Sequence, residues 1–461
     1  MNKLDRTKPP EIINEIKFSL PEIENFDLSN GLNVYFVKKE KLPITQILML
    51  TSAGSKYDDN KLNGLSHLTA ALIDEGAGEF DALQLNNEIE KLGSIIKISS
   101  DKDFIYTSLL SLTDNIERSL YLFSKILIEP KLEPADFERE KKKKISKIIQ
   151  LKDEPSYLAD TVFEKILFNN SYYQLPVLGT ETSAANIKLD DVQLFYQEYF
   201  SPTNSTLIVV SNLNSNTIVD LLEKYFSCWK KEIKNNCDPL QLNTKTKKAY
   251  LVHKDDLVQS EIRIGNLIYQ KNNTEYLRQQ ILNTVLGGQF SSRLNLNLRE
   301  KRGFTYGVSS AFNYMQSAAN FEVSTAVKSE NTAEAVAEIL NELEKIREKI
   351  TEEEVNFAKS YLIKRFPSRF ETYSNISSNI SVIITLNLDK NFLNDYLHNI
   401  KQLTTKEIIT SARETIFPEE SIIVVVGNRK VVKEQLLKIF NENLLEIEYN
   451  DVFFHNSDET S

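Results

Sequence analysis

Apolar and polar positions fall into short blocks along this chain, and the period changes from block to block. The runs "LNVYFVKK" (32–39) and "TQILMLTSAGS" (45–55) have strand length and strand composition. A helix is predicted over 65–75. A second helix runs from Ala82 to Leu92, with Asp81 as its N-cap and Gly93 closing it. Strands near 94–99 and 103–112 follow. Next comes a helix whose Ile116, Leu120, Phe123 and Leu127 recur at helical spacing. A long charged helix occupies 134–152 and breaks at Pro155. The same order then returns: strands in "AYLVHK" (249–254) and "SEIRIGNLI" (260–268), helices at 274–286 and 291–301, strands at 304–314 and 319–327, and further long helices.

The residues repeat as well as the pattern. "GEFDALQLNNEIEKLGSIIKISS" (78–100) and "GQFSSRLNLNLREKRGFTYGVSS" (288–310) are identical at eight of 23 positions at a constant offset of 210. "YFSPTNSTLIVVSNLN" (199–214) and "TIFPEESIIVVVGNRK" (415–430) each carry an aromatic residue, a proline turn and a β-branched strand. Two long copies indicate a duplicated domain rather than a solenoid, which needs three or more short repeats. The polar stretch "KKEIKNNCDPLQLNTKTKK" lacks periodicity and reads as the linker, 230–248. The predicted architecture is α+β: two homologous sheet-plus-helix domains in tandem, 25–229 and 249–445. An N-terminal extension (1–24) and a C-terminal tail (446–461) flank them.

Charge and cysteine content narrow the function. A net charge of -10 argues against a nucleic-acid surface. The basic run Lys141 to Lys144 lies among acids and reads as a solvated helix face. Acid gathered in a cavity would favour basic peptides as guests. Cys228 and Cys237 are too few for a disulfide framework and lack metal spacing. No apolar run is long enough to span a bilayer, and the N-terminus carries no signal-peptide pattern. A cytoplasmic protein is expected, or a periplasmic one if a leader is missing.

The helix at 65–75 carries one histidine, His67. A helical zinc site needs ligands one turn apart on one face, with a glutamate placed as general base. The third and fourth residues after His67 are Ala70 and Ala71, which bind neither metal nor proton. His67 is therefore expected to be an ordinary helix histidine with a satisfied hydrogen bond.

The stretch "SAGSKYDDNKLNGLSHLTAAL" (52–72) resembles the inverted zinc motif region of the pitrilysin/insulinase family, which includes the mitochondrial processing peptidases. In active members this context leads into His-x-x-Glu-His, and a glutamate on a later helix is the third ligand. "FEREKKKKISKII" (137–149) looks like that helix, with the ligand position at Ser146 or Lys147. The resemblance thus implies a degenerate site: His67 kept, the base replaced by Ala70, the second histidine by Ala71, and the third ligand by Lys147. No metal is expected on this chain.

A second motif survives. "LNLREKRGFTYGVSS" (296–310) resembles the family's C-terminal Arg…Tyr motif, with Arg299 and Tyr306 seven residues apart. "VLGGQFSSRL" (285–294) and "HKDDLVQSEIRIG" (253–265) fit the same pattern. Arg299 is expected to close a helix, and Tyr306 to stand on the strand that follows. Taken alone, both are commonplace residues. The first-half counterparts at the same offset are Ile89 and Ile96, so the polar pair is special to the second half.

In two-chain members of the family, one subunit supplies the zinc helix and the other the Arg/Tyr pair, closing like a clamshell. The resemblance therefore implies a non-catalytic half of a heterodimeric zinc peptidase. Its partner would be a homologous subunit with the intact motif and the zinc, and its guests unfolded peptides. Arg299 and Tyr306 would bind substrate, with "DFIYTSLLSL" (103–112) as a lining strand for peptide addition. The alternative is an inert structural or peptide-binding scaffold subunit. A stand-alone peptidase ranks last.

Overall fold

The computed structural model describes residues 18–230, 248–268, 273–389 and 391–449. Most of the predicted linker, including Cys237, lies outside them. Two six-stranded sheets organise the chain. The strands of the first are β1 (Glu24–Asp27), β2 (Asn33–Lys38), β3 (Ile44–Thr51), β4 (Ile95–Ser100), β5 (Ile105–Leu112) and β6 (Ser205–Ser211). Their spatial order is β1-β2-β6-β3-β5-β4. The second holds β7 (Lys248–His253), β8 (Gln259–Leu267), β9 (Val308–Tyr314), β10 (Ala319–Lys328), β11 (Ile422–Gly427) and β12 (Leu444–Ile447), in the order β12-β7-β11-β8-β10-β9.

Five strands of each sheet correspond one to one, and the sixth does not. β1 precedes its sheet in sequence and pairs antiparallel with β2, while β12 follows its sheet and pairs parallel with β7. The expected boundaries at 24, 248 and 446 therefore fall inside strands. β5 lies between β3 and β4, so 103–112 offers no free edge. The edge strands are β1 and β4, and the expectation of a lining strand at 103–112 is corrected accordingly.

Four helices of the first half concern the site: α1 (Leu65–Leu72), α2 (Ala82–Lys91), α3 (Ile116–Ile128) and α4 (Pro134–Lys152). A fifth, α5 (Pro155–Leu167), starts with the proline that ends the long charged run, because proline suits a helix's first turn and not its interior. The capping box of Asp81 with Gln84 starts α2.

β11 and the middle of β6 (207–210) are apolar at successive positions because both faces are covered. Side chains alternate between faces, so neighbours in sequence enter different cores. Leu207 and Val209 face the first half's own helices, whereas Ile208 and Val210 face the opposite way. That opposite face is covered by a helix from the second half, Tyr373–Thr385, through Ile376, Ile380 and Ile383. The Tyr373 hydroxyl donates to the carbonyls of Lys39 and Leu42, at 2.5 and 2.8 Å. Reciprocally, α5 lies on β8 and β11, where Leu158, Val162 and Phe163 meet Ile422, Val424 and Val426. Each half lends one helix to the other's sheet. No helix among the described residues is long and apolar enough to cross a membrane.

Candidate functional site

The entry to α1 is built by Asp58 and Gly64. The Asp58 carboxylate accepts from the backbone N–H of Gly64 at 2.7 Å and of Ser66 at 2.8 Å, satisfying donors that a helix start leaves open. Gly64 sits at φ +95°, and a Cβ there would come within 2.5 Å of the Leu178 carbonyl oxygen, so only glycine fits. Burial raises the Asp58 carboxyl to about 7 despite these bonds.

His67 points from α1 towards α4. Its Nδ1 lies 3.2 Å from Nζ of Lys144. Burial, with Lys144 as the second cause, lowers the imidazole to about 3. A neutral ring accepting at Nδ1 from the ammonium accounts for the pair. Lys144 itself is buried, and desolvation lowers it to about 7, with Asp58 the charge that opposes the fall.

The residue facing His67 is thus Lys144, not Ser146 or Lys147, both of which are exposed. The basic run is not a wholly solvated face. Phe137, Glu140, Lys144 and Ile148 follow one another at three- and four-residue steps, which puts Lys144 on the buried stripe of α4. Ala70 is buried and Ala71 half-buried, and neither carries a donor atom. Near the end of α1, Asp74 is raised to about 6 by burial and then by Glu75, while Glu75 pairs with Arg139. Among the described residues, no group of three or more histidine, cysteine or acidic side chains could hold a metal ion. A zinc ion does not fit here: one imidazole is available, its Nδ1 is occupied, and a buried ammonium stands where a ligand would be required.

Lys144 makes a testable contribution to stability. The unfolded chain holds this proton up to the ordinary 10.5 and the fold releases it near 7, so stability from this group rises with pH across that window. Asp58 acts in the opposite sense and His67 in the same sense, but both at or below pH 7. Between pH 7 and 9 the wild-type chain should gain on the order of 2 kcal/mol relative to Lys144→Met. Urea unfolding at the two pH values measures this. A constant gap between the proteins would mean that Lys144 titrates as an exposed lysine does.

The second half treats the corresponding region differently. Its equivalent of α2 is wound as a π-helix over Asn295–Lys301, a geometry that inserts a bulge and often accompanies function. Arg299 lies in this turn with its guanidinium carbon 3.9 Å from the centroid of the Phe290 ring, a cation–π contact. Among the described residues it pairs with Glu300, at 3.7 Å. Tyr306 is 92% exposed and stands in the loop two residues before β9, not on the strand as expected. Strand β9 begins at Val308 because the loop ahead of it is tied elsewhere. Asn295 bonds both backbone groups of Val308, and Thr325 donates to Thr305 Oγ1 at 3.0 Å and to the Gly307 carbonyl at 2.9 Å. The backbone is pinned from beneath while the phenol projects outward. Arg299 and Tyr306 make no hydrogen bond to each other. The first-half counterpart of Arg299, Ile89, is buried in the core, and that of Tyr306, Ile96, is half-buried.

Sequence reasoning missed Asp58, Lys144 and Phe290. The helical spacing of 137, 140, 144 and 148 could have found Lys144, and the match of Phe290 to Phe80 could have marked the ring. Acid does gather in one cleft of about 390 Å³ between α5 and the second sheet, where Asp160, Glu164 and Glu322 surround Arg263. Arg263 Nε bonds Asp160 at 2.5 Å, Lys102 bonds Glu164 at 2.8 Å, and burial raises Glu322 to about 7.

Comparison with known proteins agrees with this geometry. Residues 34–181 match the insulinase family, peptidase family M16, and residues 186–362 match the peptidase M16 inactive domain. A non-peptidase homolog, YmxG, of Helicobacter pylori is 23% identical over 400 residues, covering 86% of this chain and 92% of that protein. An uncharacterized zinc protease, YmxG, of Bacillus subtilis is 21% identical and covers 62% of this chain and 69% of its own. The crystal structure of a peptidase M16 inactive domain from Pseudomonas fluorescens superposes with a TM-score of 0.82 at 22% identity, covering 88% of this chain and 98% of that one. With both halves matched in tandem, the chain belongs to the insulinase family of peptidases, M16.

Proposed function

We propose that this chain is the non-catalytic half of a heterodimeric zinc peptidase. A homologous subunit would carry the intact motif and the zinc. The observation that carries this reading is the contrast between the halves: α1 holds alanines and a lysine-tied histidine, whereas Arg299 is partly exposed on the π-helical turn and Tyr306 stands open on the pinned loop after it. A guanidinium and a phenol presented to a partner's metal can hold a substrate carbonyl or carboxylate and stabilise the charge that develops on it. Unfolded peptides are the substrate class.

A second reading is a structural or peptide-binding scaffold that cleaves nothing. It draws on the non-peptidase name of the Helicobacter pylori relative, which matches over most of both chains. Native mass spectrometry of the gently isolated complex separates the two. The expected mass is this chain plus one similar chain with one zinc. A zinc-free monomer or homodimer would replace the peptidase reading with the scaffold.

A further inference from the structure

Because the halves are built alike, the cleft where α1 meets α4 and β4 has a counterpart. It lies where the helix Asn273–Leu286 meets the helix Glu352–Arg365 and β9. Counted from the N-caps Glu133 and Thr351, Leu362 stands at the position of Lys144 and Arg365 at that of Lys147. The first half fills its cleft with the His67–Lys144 pair. The second half keeps a cavity of about 180 Å³.

Hydrogen-bond donors line that cavity, and no carboxylate does. Gln279 is only 1% exposed, and its Oε1 accepts from the Tyr314 hydroxyl. That leaves Nε2 buried with no hydrogen-bond partner, a rare condition for a native polar group. Arg365, exposed at the mouth, donates from Nη1 to the Tyr361 hydroxyl at 3.0 Å, so the phenol's own proton is left to point elsewhere. Gly288 lines the same space, where a Cβ would come within 2.7 Å of Asn283 Nδ2. A guanidinium, a phenol and an amide with an orphan N–H thus line one space of a few heavy atoms.

We propose that this cavity is a binding site for a carboxylate group. Charge and donors match an acceptor-only oxyanion, which takes two or more such bonds at once. The cavity lies beside β9, one of the two edge strands of the second sheet, and Phe312 and Tyr314 of that strand line it. The carboxylate can therefore come from a small free acid or from the C-terminus of a peptide lying along that edge. The site is independent of the roles given to Arg299 and Tyr306.

Saturation-transfer NMR on the full chain tests it, with N-acetylglycine as probe and N-acetylglycinamide as its neutral control. The acid should bind at least about tenfold more tightly than the amide, and Arg365→Ala should weaken it by a similar factor, since each loses a charge-assisted bond. Arg365→Lys should restore part of the affinity. Arg365 is exposed, so these variants should fold, which a thermal melt verifies. A free-acid hexapeptide that binds more tightly than N-acetylglycine, and loses that on amidation, identifies the peptide terminus as the source. Equal affinities identify a free acid. Equal binding of acid and amide, indifference to Arg365→Ala, or no binding up to about 10 mM overturns the site.

Discussion

Phe163→Ala is expected to lower the unfolding free energy by about 3–5 kcal/mol, the usual range for emptying a phenylalanine site in a tight core. The loss should register in the wrong half. Phe163 belongs to α5 of the first half by sequence, yet its ring packs on the second sheet. Gly265 of β8 makes the room: a Cβ there would approach the Phe163 ring to 2.8 Å and the Phe321 carbonyl oxygen to 2.1 Å. Neighbours cannot close the void without moving β-ladder backbone, so a cavity remains and adds to the lost burial. Hydrogen exchange should show β8 and β11 losing protection at least as much as β3 and β5. If only first-half amides speed up, α5 does not hold the second sheet together.

Arg299→Ala or Tyr306→Phe should lower the peptidase rate of the two-chain complex by about 10²- to 10³-fold, the scale for removing a donor to developing negative charge. Neither change should disturb folding or assembly. Arg299 makes only a ring contact and one long ion pair, and the Tyr306 hydroxyl is open to solvent. Surface changes of that kind stay within about 0.5 kcal/mol. The rate should fall in kcat rather than only in KM if the pair acts on the transition state. Unchanged rates in both variants, with the complex intact, would remove the assigned role and leave the scaffold reading.

Much of the architecture was legible because periodicity reports local structure. The breaks at Gly93 and Pro155, and the duplication, all lie in short-range patterns. Where packing decides, the patterns fell short. The run Lys141–Lys144 looks uniformly solvated, but the helix turns one of the four lysines inward. The apolar stretch 103–112 suits an edge or a centre equally, and only pairing with β3 and β4 settles that it is central. The pattern over 304–314 predicts a strand that includes Tyr306, whereas β9 begins at Val308. The π-helical turn and the Asn295 and Thr325 bonds shift the second-half strand start, and no propensity signals them. The missing metal ligands, by contrast, were visible directly, since Ala70 and Ala71 cannot be mistaken for donors.

The lent helices also set a timetable for synthesis. Translation delivers α5 long before β8 and β11 exist, at a pace of roughly 5–20 residues per second. For that interval Leu158, Val162 and Phe163 have no surface to meet, and the outer face of the first sheet waits still longer for Tyr373–Thr385. A nascent first half is therefore an incomplete body with two sticky faces, and the ribosome-bound chain depends on shielding until its own far end arrives.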